Sequence, residues 1–382
     1  MTTGAPSNAQ DAEPVRERML SVDVTRGVAI AGMILVNAAA YFHYVAPAPV
    51  PAFLLHADWE GFRLADFVFP AFIYIVGAAI PLSLGQAKLS AGAQGDLYRR
   101  IAWRSVKLFL LGVVLSNLYA WYSAVDLSEM RYFGVLQRIA IVYFAAAILF
   151  LRFSAHALAV IAGVILAAYA ALLYAPLPTG EAADLSVKGL NIVAWVDRAL
   201  LGEHAFYDGP SGYDPEGLLS TLPAIAQCLV GVLTGRWLAR REKSASTAMQ
   251  FGSAGLALTV AGALLGALHP VVKDLWTGSY VLLSTGVTML VLAAAYRLND
   301  VAGRYGPVSH FFRVFGANAI AVYVLHFAAS FLIVAAPFVA LYSSIARVLP
   351  AALASLAPVL LFVAMNWLVA LWLWRRRIFI KI

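Results

Sequence analysis

A single cysteine, Cys228, occurs in 382 residues, and it sits in an apolar run. One thiol excludes a disulfide framework or a thiolate metal cluster within the chain. Charge is scarce too: 12% of residues are charged and 62% hydrophobic, far too apolar for an ordinary soluble domain. There is no Walker loop, no Gly-rich dinucleotide fingerprint, no HExxH, no CxxC and no G-x-S-x-G turn to carry a serine triad. The short alternating segments of a β-barrel are missing, as is an internal repeat of the kind found in inverted-repeat transporters. The opening residues are polar and small, without the charged-then-apolar order of a signal peptide. Residues 1–18 are expected to form a disordered cytoplasmic tail, followed by a single transmembrane domain over 19–382.

What the chain does have is a succession of apolar runs, each sufficient to cross about 30 Å of hydrocarbon. They predict an all-α polytopic membrane protein of about ten transmembrane helices, at 24–42, 64–85, 104–122, 132–151, 157–175, 218–237, 250–268, 277–296, 314–335 and 354–374. The net charge of +7 is not a nucleic-acid footprint, because Lys and Arg gather in alternate connecting regions and at both ends. The basic regions are Lys88 with Arg99, Arg100, Arg104 and Lys107; Arg152; Arg236 with Arg240, Arg241 and Lys243; and Arg297 with Arg304 and Arg313. The positive-inside rule therefore puts both termini in the cytoplasm, against the dissent of Arg347. The longest outer segment, 176–217, is expected to be a lid or a solvated connector. Trp276, Trp367, Trp372 and Trp374 stand at span ends, as interfacial aromatic belts do. Most histidines, His269 among them, fall near interfaces, where solvation is the default.

Ionisable groups that run into an apolar span are costly and mark candidate sites. The segment LLHADWEGFRLADFVFPAFIYIVG is the densest case. Read as helix, it places His56, Trp59, Glu60, Arg63 and Asp66 on one face. A histidine there suits general-base work at neutral pH. In the first span Asp23, Arg26 and Asn37 form a polar line of about 21 Å toward the outer third. In the fourth, Gly134, Gln137 and Arg138 share a face, and Arg138 needs an anionic partner, either Asp66 or a ligand. The ninth carries Asn318 and His326 about two turns apart.

At these residues the chain resembles the heparan-α-glucosaminide N-acetyltransferase family of transmembrane acyltransferases, and its bacterial members in particular. The resemblance is carried by SVDVTRGVAIAGMILVN (21–37), HADWEGFRLADFVFPAFIYIVG (56–77), FGVLQRIAIVYF (133–144), YDPEGLLSTLPAI (213–225), KDLWTGSYVL (273–282) and GANAIAVYVLH (316–326). It implies transfer of an acetyl group from cytoplasmic acetyl-CoA to an amine or hydroxyl of a glucosamine-like sugar or glycan across a bacterial inner membrane. The family's active-site histidine falls on His56 and its asparagine at the end of the first span on Asn37. Around this pair, Trp59, Glu60, Asp66, Gln137, Arg138, Asp214 and His326 are expected to bind the acceptor. Asp23, Arg26, Arg104, Lys107 and Asn318 are expected to bind the donor. No metal is called for. The partners are then acetyl-CoA, the glycan acceptor, the bilayer and, as a homodimer, a second copy of the chain. The animal lysosomal member's extra luminal domain and extra first span have no counterpart in this reading. Glu60 and the AAAYFHY stretch after Asn37 depart from the family pattern on the acceptor side. The competing readings are a transporter or flippase of a glycan-related small molecule, and a scaffold whose polar residues only join helices.

Overall fold

The computed structural model describes residues 19–89, 94–118, 121, 127–128, 130–207, 209 and 211–380, so the expected tail at 1–18 lies outside them. Among the described residues the backbone is helical, and its only sheet-type pairings are two isolated bridges, Glu60–Val272 and Tyr207–Tyr213. The helices are α1 (Leu20–Val45), α2 (Leu64–Leu89), α3 (Gln94–Ser116), α4 (Val135–Arg152), α5 (Ala155–Leu173), α6 (Ile192–Leu200), α7 (Thr221–Leu238), α8 (Ala245–Leu265), α9 (Gly278–Ala295), α10 (Pro307–Ala317), α11 (Ala319–Ala328), α12 (Ala336–Ile345) and α13 (Ala351–Arg375). Side chains set several of these starts. Ser154, Asn191 and Ser244 cap α5, α6 and α8 by accepting the N–H of Ala157, Ala194 and Thr247.

This is a multi-pass membrane protein. Among the described residues seven helices are long and apolar enough to cross a bilayer, or eight if α10 and α11 form one broken span. The expected segment at 218–237 falls on α7, which carries Gln227, Thr234 and Arg236 and is largely buried among other helices. A helix screened from lipid by protein does not need a continuously apolar surface. The segment expected at 104–122, of which 119, 120 and 122 lie outside the described residues, falls in its first part on α3, which begins ten residues earlier and carries Asp96, Arg99, Arg100, Arg104 and Lys107.

Helix α2 is the centre of the bundle, with 72% of its apolar window buried, while α5 and α8, at 22% each, present most of their surface outward. Small residues let the central helices touch. A Cβ on Gly231 or Gly235 of α7 would overlap the carbonyl oxygens of Tyr74 or Ala78 on α2. Gly27 of α1 and Gly316 of α10 meet in the same way, against Phe312 O and Asp23 O.

The ninth expected span is not straight. Its axis turns by 78° between α10 and α11. The residue at the break is Asn318, with φ −122° and ψ 37°. Its side chain is committed elsewhere: Nδ2 donates to Ile378 O at 3.0 Å and Oδ1 accepts from Ile380 N at 3.0 Å. An amide that serves another segment's backbone favours a helix end over a helix interior. The segment 176–217 is also not a bare connector. It contains α6, and Leu185 and Val193 pack with Tyr169, Leu173, Val272 and Leu275 in one cluster, with Trp59 against it.

Candidate active site

The helical reading of residues 56–63 is corrected by the structure: this stretch is a loop, and α2 begins at Leu64. Gly61, at φ 126°, takes a backbone conformation that side-chain-bearing residues rarely adopt. Asp66 then closes the helix start. Its Oδ2 accepts Arg63 N at 2.9 Å, the reciprocal half of a capping box, and also Ala57 N at 3.1 Å. Its Oδ1 lies 2.7 Å from His56 Nδ1. The loop is stitched down from three further directions. Arg63 Nη1 donates to His56 O at 2.9 Å, Gly61 N donates to Val271 O at 2.9 Å, and Trp59 Nε1 donates to Leu185 O at 2.7 Å. Tyr280 donates its hydroxyl to Asp66 O at 2.7 Å from α9.

The charge pattern fixes the tautomer. An ionised carboxylate can only accept, so His56 Nδ1 carries a proton, and in the neutral imidazole Nε2 is the nitrogen that holds the lone pair. The His56 side chain is 43% exposed while Asp66 is 1% exposed. A buried carboxylate thus orients an imidazole that is open to an incoming group, the arrangement of a general base with its orienting acid.

A second polar pair lies on α1 and α11. Asn37 Nδ2 is 3.1 Å from His326 Nε2, and His326 Nδ1 is 2.8 Å from Tyr323 O. A carbonyl can only accept, so Nδ1 of His326 is protonated and Nε2 accepts one hydrogen of the Asn37 amide. The other amide hydrogen of Asn37 remains available.

Below this pair is a cavity of about 430 Å³ between α1, α2, α3, α4, α10 and α11. Along α1 it is lined by Arg26, Ile30 and Met33, a 4-then-3 spacing that continues to Asn37 on the same face. Arg26 to Asn37 is about 16 Å along the helix. Arg104 joins Arg26 in the lining, its guanidinium 4.7 Å from the Tyr143 ring. Tyr323 lines the cavity one turn before His326, and Ile380, held by Asn318, lines it from the C-terminal segment.

The YDPEG turn forms a third cluster. Asp214, fully buried, takes Arg131 Nε and Nη2 at 2.9 and 2.7 Å and two backbone N–H groups, Phe206 N and Glu216 N. Glu216 accepts the same Nη2 at 2.6 Å. Burial alone would lower Arg131, but the two carboxylates outweigh it and keep the guanidinium charged. Asp197 of α6 accepts Asp214 N and Leu218 N, both at 3.2 Å. Burial pushes its carboxyl up to about 6, against those two hydrogen bonds.

Among the described residues no ion pair joins Arg138 to Asp66, one of the partners expected for it; Asp66 serves His56. Arg138 Nη2 donates to Ser220 Oγ and Gly217 O, and the guanidinium stacks 4.8 Å from the Trp276 ring. Trp276 is therefore a core residue, 1% exposed, with Nε1 donating to Gln227 Oε1 at 2.9 Å, and not part of an interfacial belt. His269 is likewise buried, bonded to the Tyr174 hydroxyl at 2.8 Å. Gln137 donates Nε2 to Ser116 Oγ at 3.2 Å.

The expected residues thus separate. His56 and Asp66 meet, with Trp59 and Glu60 in the same loop. Asn37 and His326 meet, above the cavity that Arg26 and Arg104 line. Asp23 pairs with Arg26 at 3.1 Å. Lys107 is exposed on α3 outside that lining, and Asn318 holds the C-terminal segment. Asp214 belongs to the cluster built around Arg131 and Glu216.

The family model described as Heparan-alpha-glucosaminide N-acetyltransferase, catalytic, matches residues 18–266. The chain belongs to this family. It is 28% identical to heparan-alpha-glucosaminide N-acetyltransferase of Homo sapiens over 359 residues, covering 81% of this chain and 52% of that protein. Its identity to the Mus musculus protein of the same name is 27% over 382 residues, covering 85% of this chain and 57% of that protein. The chain therefore spans little more than half the length of the curated relatives it matches. Among the site features of this family member, sequence reading passed over Tyr280 and the loop carrying Val271. Neither bears a charge, and each acts on the His56 loop only through long-range hydrogen bonds. The histidine partnership of Asn37 was legible only as two polar residues on separate spans.

Proposed function

We propose that this chain transfers an acetyl group from acetyl-CoA to the amine of a glucosamine-like sugar on the far side of a bacterial inner membrane. The observation that carries the reading is the His56–Asp66 pair, a half-exposed imidazole whose free Nε2 is oriented by a buried carboxylate. Acetyl-CoA enters from the cytoplasmic side, its phosphates near Arg26 and Arg104 and its pantetheine arm along Ile30 and Met33 in the apolar cavity. That path brings the thioester toward Asn37. The acceptor amine attacks the thioester carbonyl while His56 Nε2 takes its proton. The free N–H of Asn37, held in place by His326, stabilises the oxyanion. Such a donor is typically worth about 3–4 kcal/mol. The tetrahedral adduct then expels the CoA thiolate, which is reprotonated as the amide forms. Asp66 keeps His56 in the required tautomer throughout.

The family membership supports the acyl chemistry, and the cavity supports a long, anionic-headed donor. A second reading, transport of an intact small molecule, is favoured by one feature: the helix broken at Asn318 beside the cavity, since broken helices line the substrate sites of many transporters. One experiment separates the two. Purified protein is placed in liposomes with labelled acetyl-CoA on one face and glucosamine on the other. Label in N-acetylglucosamine supports transfer; unmodified glucosamine crossing the bilayer with no acetylated product supports transport and overturns the proposal.

A further inference from the structure

A second cavity, of about 550 Å³, shares no lining residue with the one beneath Asn37. Its walls come from the C-terminal end of α7, the first turns of α8, Met289 of α9 and Ala155 at the start of α5. Three arginines converge on it, Arg236, Arg240 and Arg241, and among the described residues no carboxylate lines it. Among the described residues no ion pair joins these arginines to an acid. Two of the three rest on aromatic faces instead: Arg236 lies 5.6 Å from the Phe150 ring and Arg241 lies 5.2 Å from the Trp237 ring. Trp237 in turn stacks on Phe251 at 6.2 Å.

A guanidinium that rests on a ring still has its N–H donors to satisfy. Nη1 of Arg236 is cut off from solvent and has no hydrogen-bond partner. That is costly unless a ligand supplies the acceptor. The rest of the wall is apolar, with Leu233, Phe251, Ala254 and Met289. Two of the helices that line it, α5 and α8, are the least buried of the candidate spans, so the cavity borders the surface that faces lipid. A soluble anion would satisfy the arginines and leave the apolar wall uncovered. A neutral lipid would do the reverse.

We propose that this cavity binds an anionic phospholipid, with its phosphate on Arg236, Arg240 and Arg241 and an acyl chain against Leu233, Phe251 and Met289. Basic pockets between membrane helices recognise anionic headgroups through this chemistry. The site would tie the α7–α8 corner to the charged leaflet independently of the acyl-transfer chemistry.

The test is native mass spectrometry of the full chain, released from detergent micelles doped equally with phosphatidylglycerol and phosphatidylcholine. The expected result is selective retention of phosphatidylglycerol, unaffected by inorganic phosphate. Arg240→Gln and Arg241→Gln, both at exposed positions, should each weaken retention by about fivefold. Ala254→Trp, also at an exposed position, should reduce it by filling the apolar wall with all three arginines intact. Equal retention of the two lipids overturns the proposal, as does undiminished phosphatidylglycerol binding in these variants. Displacement by inorganic phosphate would make this a soluble-anion site and overturn it as well.

Discussion

His56 Nδ1 lies 2.7 Å from Asp66 Oδ1, although the two residues belong to different local structures, a loop and the first turn of a helix. The same carboxylate caps α2 through Arg63 N and fixes the loop through Ala57 N. Asp66 therefore does two jobs at once: it starts the helix and sets the imidazole. A substitution that keeps its shape tests the second role against the first.

Asp66→Asn should lower kcat for acetyl transfer by about 10²–10⁴-fold and leave KM for acetyl-CoA unchanged, because an amide can hold the imidazole in the wrong tautomer. Steady-state kinetics of the reconstituted variant decide the point. A wild-type kcat would remove Asp66 from the chemistry and leave it a helix cap.

Asn37→Ala should cost about 10²–10³ in kcat if its free N–H faces the oxyanion. His326 is argued to act through Asn37, since its Nε2 accepts an Asn37 hydrogen and its Nδ1 is tied to Tyr323 O. His326→Gln, which retains an acceptor for Asn37, should keep much more activity than His326→Ala. If both variants fall equally, His326 has a proton-transfer role of its own and the positioning assignment fails.

Arg104→Gln should raise KM for acetyl-CoA by roughly tenfold or more at nearly constant kcat, the loss expected for one charge-assisted contact to a phosphate. Lys107→Gln, on the same helix but outside the cavity lining, should change neither constant. Titration of donor binding by isothermal calorimetry reads this directly. Equal losses for the two would mean that only the general positive field of α3 matters.

The all-α, multi-pass architecture was legible in the sequence because membrane helices need long apolar runs, although the described residues hold seven or eight helices of membrane-crossing length and apolarity against about ten expected. The break at Asn318 was not legible, because it depends on Ile378 and Ile380 some sixty residues away. Composition likewise pointed to His56 and Asp66 as a pair, but through the wrong geometry. A helical wheel placed them on one face, whereas Gly61 and the Asp66 cap end the helix before the histidine. Arg138 was recognised as a buried cation, yet its neighbours are Ser220, Gly217 and an aromatic ring, polar or π partners that carry no charge to search for.

The segment 176–217 carries a pH dependence of definite sign. Asp197 is raised by burial from 3.8 to about 6, so the folded protein holds a proton that the unfolded chain has already released between those values. Its contribution to stability is therefore greatest at low pH and falls as pH rises through about 6. Moving from pH 7.5 to pH 5 should stabilise the fold by about 1–2 kcal/mol through this group. Thermal melts of wild type and Asp197→Asn at the two pH values give the difference, and the variant should be flatter by that amount. A wild-type melt that drops relative to the variant on acidification would reverse the sign and refute the assignment.

Whether His56 is the base for acetyl transfer is read by a single-turnover assay on His56→Ala preloaded with labelled acetyl-CoA. The variant should bind the donor stoichiometrically, melt at the native temperature and form N-acetylglucosamine about 10²–10⁴-fold more slowly. Near-normal turnover by that variant, with donor bound, would contradict it.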